Sequence, residues 1–149
     1  MSKVYLFVLV LLSTSFTGCT EDETNGEDIG CELEGEMVVG EWRYCTFTPE
    51  NDNPMIGWIV EHKSGDSNID IFMFNSTNYD AYSTWSSEDD FIPISDFTRE
   101  NVTSANVDKI KSDLDKGEEY YFVIDHTGEG EAQPEEGDRV SYNAVLTVE

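Results

Sequence analysis

The chain has two histidines, His62 and His126, and the second stands directly beside an acid, Asp125. An Asp–His pair is half of an acid–base system. Completing it takes a serine or cysteine within reach of the ring and a third group that orients the base. No serine lies in a Gly-x-Ser-x-Gly stretch. The competing account makes Asp125 and His126 a polar pair at a strand end with no catalytic duty. Carboxylates are too abundant to diagnose a glycosidase dyad, since Asp and Glu number 32. Such a dyad is defined by a cleft and a set separation, which a sequence does not print.

Hard cations want several carboxylate and carbonyl oxygens on a turn. Asp66, Asn68 and Asp70 supply alternating oxygens at a loop-to-strand junction, and Asp125 joins them if the two strands pair. Calcium is the ion that set suits. The spacing is not an EF-hand, because the sixth position lacks Gly and the twelfth lacks Glu. Asp66 and Asn68 also serve as plain turn formers, with Asp70 a partly buried strand residue. The acidic runs Glu88-Asp89-Asp90 and 129–136 read as solvated faces. Asn75 and Asn101 each open an Asn-x-Thr sequon open to glycosylation. Tyr79, Tyr82 and Trp85 sit in a polar stretch, where they either contact a glycan or protein ligand or close one end of the core.

These residues need strands to position them. Residues 140–148 alternate apolar and polar, the period of a half-buried strand. Residues 119–127 and 56–62 repeat the pattern, and 69–74 is apolar on both faces apart from Asp70, as in a central strand. Residues 37–47 read as one long first strand bent near Gly40, and 91–102 as a weaker one. Val107, Ile110 and Leu114 have helical spacing, with Ser104 to cap and Gly117 to stop, though an extended segment with a turn at Asp115-Lys116-Gly117 fits equally. Short strands, turn signals and hardly any helix predict an all-β antiparallel sandwich over residues 35–149.

The formal net charge is -24, with only 8 Lys and Arg. Nucleic acid is thereby disfavoured as a partner, because phosphate binding needs clustered bases. Direct adhesion to anionic lipid is disfavoured for the same reason. Self-repulsion of the compact state is relieved by salt or divalent cations. In this the composition resembles that of proteins from salt-adapted microbes.

The amino terminus carries Lys3, an apolar run over residues 4–12 and then small residues, the pattern of an export signal. The run is shorter than the roughly 20 residues of a spanning helix. Phe16-Thr17-Gly18-Cys19 resembles the lipobox of prokaryotic lipoproteins, with Phe16 where that family usually has an aliphatic residue. The resemblance implies cleavage after residue 18 and a diacylglyceryl group on Cys19, which holds the chain to the outer face of a membrane. Two acyl chains anchor stably where one is marginal. Residues 19–34, dense in Glu and Asp, then read as an extended tether. Of the remaining cysteines, Cys31 and Cys45 either form a disulfide, as an oxidising exterior favours, or stand as separate thiols. Neither has a second zinc ligand at suitable spacing.

Ser64-Gly65-Asp66-Ser67-Asn68-Ile69-Asp70-Ile71-Phe72-Met73-Phe74 is similar to the glycine–aspartate stretch and following strand of bacterial pre-peptidase C-terminal domains. Leu114-Asp115-Lys116-Gly117-Glu118-Glu119-Tyr120-Tyr121 resembles their later Leu-x-x-Gly-x-Tyr-Tyr strand, and the layout also looks like GOLD-type jelly rolls. The resemblance implies a jelly-roll-like sandwich that accompanies or binds other molecules at a cell surface. The expectation is therefore a non-enzymatic binding or envelope-interaction module. The alternatives are a metal-dependent or acid–base hydrolase and a purely structural envelope component.

Overall fold

The computed structural model describes residues 29–84 and 91–149. The expected signal segment, Cys19 and Trp85 lie outside the described residues. The described residues contain eight strands: β1 (Ile29–Val38), β2 (Glu41–Phe47), β3 (Met55–Gly65), β4 (Ile69–Asn75), β5 (Arg99–Val102), β6 (Ala105–Lys111), β7 (Tyr120–His126) and β8 (Arg139–Val148). They form two four-stranded antiparallel sheets, ordered β1-β8-β3-β6 and β2-β7-β4-β5. Pairing of first with last, second with seventh, third with sixth and fourth with fifth is the winding of a jelly roll, so the expected all-β sandwich stands.

The sheets meet through the inward residues of each strand. Ile56, Trp58 and Val60 of β3 and Tyr142, Ala144 and Leu146 of β8 face Ile69, Ile71 and Met73 of β4 and Phe122 and Ile124 of β7. Trp58 spans the gap, with its ring 5.8 Å from that of Phe122 and its indole N–H donating to the Phe97 carbonyl at 3.1 Å.

Three expectations change. Of the segment expected to be a tether, residues 19–34, the part from Ile29 onward is strand β1, and the rest lies outside the described residues. Cys31 and Leu33 pair inward with Leu146 and Ala144, while Glu32 and Glu34 take the alternate, outward positions. Strand alternation is present there, masked by charge. The long first strand is two, separated by a turn at Gly40, whose φ of 89° suits glycine, and the chain changes sheet at that turn. Cys31 and Cys45 are joined by a disulfide with a Cα–Cα distance of 6.3 Å, which ties the edge strand of one sheet to that of the other.

The third change is the helix. Residues 105–111 are strand β6. The helical spacing of Val107 and Ile110 comes from a bulge, since Val107 lies opposite Trp58 and Ile110 opposite Ile56. One extra residue on β6 returns both side chains to the same face. Gly57 sits across from the bulge, where a Cβ would stand 2.9 Å from the Lys109 Cγ and 3.1 Å from its backbone nitrogen. The one α-helix among the described residues is α1 (Ser76–Ser83), in the polar stretch that holds Tyr79 and Tyr82. Asn75 caps it, accepting from the Asn78 N–H at 2.9 Å.

Helix α1 lies on the outer face of the β2-β7-β4-β5 sheet. Its own Tyr79 and Tyr82 pack on Phe72, Phe74 and Val123 of the sheet to form a second buried cluster, with Trp42, Phe91 and Tyr121 around it. Both faces of β4 are therefore covered, which explains its nearly continuous apolar run.

Candidate functional site

Successive residues of a strand point to opposite faces, and this separates Asp125 from His126. Asp125 points outward beneath α1. It accepts from the Thr127 N–H at 3.1 Å and the Thr127 hydroxyl at 3.0 Å, and the Tyr82 phenol lies near enough to interact with it electrostatically. Burial raises its pKa to about 6, a push that those hydrogen bonds oppose. His126 points inward and is wholly buried. Its Nε2 lies 2.5 Å from the Ser67 hydroxyl, and among the described residues its Nδ1 has no hydrogen-bond partner. A serine thus meets the histidine, but Asp125 cannot orient that ring from the other side of the sheet.

Asp70 is the cross-strand neighbour of Asp125 and is equally buried. Its carboxylate accepts from the Asn101 N–H at 2.7 Å and the Ala132 N–H at 3.0 Å. Burial raises its pKa despite those bonds. Asp70 therefore pins the end of β5 and the β7–β8 loop to its own strand. Glu100 is held above the usual carboxylate range by partial burial and by the charges of Asp70 and Glu131.

Of the other expected calcium ligands, Asp66 is exposed, and Asn68 donates to the Asn101 side-chain oxygen at 2.7 Å. Both line an open depression of about 470 Å³ with Glu131, Glu135 and Asp138, while Asp70 and Asp125 do not line it. Among the described residues no three His, Cys, Asp or Glu side chains gather closely enough to hold a metal ion. The four expected ligands are therefore not brought into one shell.

The aromatic expectation needs revision. Tyr79 and Tyr82 are 8% and 2% exposed, so they close the cluster beneath α1 instead of presenting rings to solvent. The exposed ring is that of Tyr44 on β2, which lies 5.0 Å from Tyr79 and 5.9 Å from Tyr121. Both sequon asparagines are exposed. The Asn75 side-chain oxygen caps α1, and Asn101 adopts a φ of 53° with its side-chain oxygen bound to Asn68.

His62 reaches the interior opposite its cross-strand neighbour Tyr142, and its backbone N–H donates to the Ser104 hydroxyl at 2.9 Å. Sequence reasoning missed Ser67, Tyr44 and Tyr121. The alternation of Trp42, Tyr44 and Thr46 against Arg43, Cys45 and Phe47 was available to place Tyr44 outward. Nothing local marked Ser67, because its histidine is 59 residues away.

Fold and site together define, over the described residues, an eight-stranded jelly-roll sandwich with two neighbouring buried carboxylates on the outward side of one sheet and a buried serine–histidine contact on its inward side. No protein-family model and no curated protein matches the chain. Among solved structures, one that matches is the periplasmic inhibitor of g-type lysozyme from Aeromonas hydrophila, at a TM-score of 0.46 and 9% identity, over 84% of this chain and 90% of that one. The two segments similar to pre-peptidase C-terminal domains lead into β4 and β7, the neighbouring central strands of one sheet, so those motifs describe packing.

Proposed function

We propose that this protein is an exported, lipid-anchored, non-enzymatic recognition module of a prokaryotic cell surface, and that its partner is a positively charged protein. The observation that carries the reading is the placement of Asp125 and His126 on opposite faces of β7. The acid is engaged by Thr127 and Tyr82, and the base by Ser67. The groups able to do acid–base chemistry are committed to holding loops on the sandwich. The net charge of -24 supports the choice of partner, since a strong field of one sign steers and retains ligands of the other. Cys19 and the acidic residues after it support the anchor and a spacer between lipid and fold.

Mass spectrometry of the native amino terminus tests the anchor, with a diacylglyceryl adduct on Cys19 expected. The recognition role is tested by passing a basic protein, cytochrome c, and an acidic one, ovalbumin, over the immobilised chain at about 0.15 M salt, where unspecific attraction is largely screened. Selective retention of the basic probe is expected, and retention of neither defeats the reading.

One observation favours a hydrolase instead, namely the Ser67–His126 contact at 2.5 Å. That reading requires labelling of Ser67 by a fluorophosphonate and ester turnover that His126→Ala abolishes.

A further inference from the structure

We infer that the outer face of the β2-β7-β4-β5 sheet carries a cation-recognition site, formed by Tyr44, Tyr79 and Tyr121 with Asp80 and Glu119, and that its ligand is an arginine side chain of a basic polypeptide. The inference rests on the proposed function and assigns that function a place.

The aromatic floor is built into the sheet. Tyr79 of α1 and Tyr121 of β7 stack with ring centroids 3.9 Å apart and planes within 7°. Tyr44 leans over the stack from edge strand β2, tilted by 48° to Tyr79 and 42° to Tyr121. Tyr79 thus touches both other rings, and the ring contacts hold Tyr44, Tyr79 and Tyr121 in one cluster, with Trp42 acting on the Tyr79 hydroxyl from the next outward position of β2. A ring that merely completed the core would be covered, as Phe72, Phe74 and Tyr82 are, yet Tyr44 is 48% exposed.

Negative charge lies beside the half-buried Tyr121 and the covered Tyr79, next to the exposed Tyr44 ring. The Tyr121 hydroxyl donates to Glu119 at 2.5 Å, and Asp80 on α1 acts electrostatically on both Tyr79 and Tyr121. In agreement, the hydrogen bond to Glu119 and the nearby carboxylates push Tyr121 up to about 12. Aromatic faces attract cations through their quadrupole, and two carboxylates beside them add charge of the same sense. A bare divalent ion is poorly matched, since a ring face offers it no oxygen ligands. A guanidinium is well matched, because it lies flat on a phenol ring while its N–H groups reach carboxylates at the rim. A lysine ammonium gains the charge but not the stacking.

The test uses the purified full-length protein and two blocked pentapeptides, Gly-Arg-Gly-Arg-Gly and Gly-Lys-Gly-Lys-Gly. Affinities are measured by calorimetry, and contacts by ring-proton shifts in nuclear magnetic resonance. The arginine peptide should bind about threefold more tightly than the lysine peptide, as an exposed cation–π contact allows. It should move the Tyr44 and Tyr121 resonances. Tyr44→Leu, which keeps bulk at an exposed position, should abolish the preference, and Glu119→Gln should weaken both peptides. Thermal unfolding of each variant confirms that it folds. Equal affinities, a preference that survives Tyr44→Leu, or shifts confined to residues 127–138 would overturn the inference. If cytochrome c is retained equally by the parent and by Tyr44→Leu, the recognition role stands and this location fails. If it is not retained while the arginine preference persists, the broader role fails instead.

Discussion

Asp125 illustrates how one buried acid makes stability depend on pH. Its folded pKa, about 6, lies above its unfolded value near 3.9. A raised carboxyl pKa means that the folded state holds its proton more tightly. The contribution is present in full below about pH 4 and is lost as pH climbs through about 6. The parent protein should therefore fall in Tm between about pH 4 and 7, and Asp125→Asn, which can keep the Thr127 hydrogen bonds, should flatten that fall. Differential scanning calorimetry across that range checks it, and a variant with an unchanged slope would assign the dependence to another group. Ser67→Ala should behave differently. It strands the buried His126 ring without its one partner and should cost about 1–3 kcal/mol by urea unfolding.

At the scale of elements, legibility followed the regularity of the local pattern. Strand β8 is readable because inward and outward residues alternate without interruption, and β4 and β7 because their apolar runs suit central strands covered on both faces. Strand β1 is not, because every outward position from Glu32 to Glu36 is acidic, and the eye takes charge density for disorder. In β6 the bulge opposite Gly57 replaced a period of two with an apparent helical one. The helix α1 has a weak apolar stripe of its own and is positioned by the sheet below it, which no local window contains. Its one local signal is Asn75, whose place in a sequon drew a different interpretation. Asn75→Ala should remove the cap and cost about 1 kcal/mol, measurable by thermal unfolding. The candidate site was harder still: Asp125 and His126 were visible as neighbours, but their divergence across the sheet and the arrival of Ser67 are tertiary facts.

Across the whole molecule, two long-range effects set the stability. Self-repulsion from a net charge of -24 is screened by salt, so Tm should rise as sodium chloride increases from about 0.01 to 1 M. Scanning calorimetry across that series checks it. Loss of the Cys31–Cys45 link by the double change Cys31→Ser and Cys45→Ser should lower stability by about 3 kcal/mol on the chain-entropy model, read as a shifted urea midpoint.

That link also fixes how the protein answers to tension. A pull delivered through the segment before Ile29 loads an edge strand, whose hydrogen bonds to β8 would otherwise break in succession, like the teeth of a zip. At Cys31 the load crosses covalently to β2 and from there into β7, so both sheets bear it together. Peeling therefore stops within the first few residues of β1, and everything beyond must yield at once or hold. Held by its leading end, as the proposed anchor would hold it, the protein is spared gradual unravelling for as long as those two sulfurs stay oxidised.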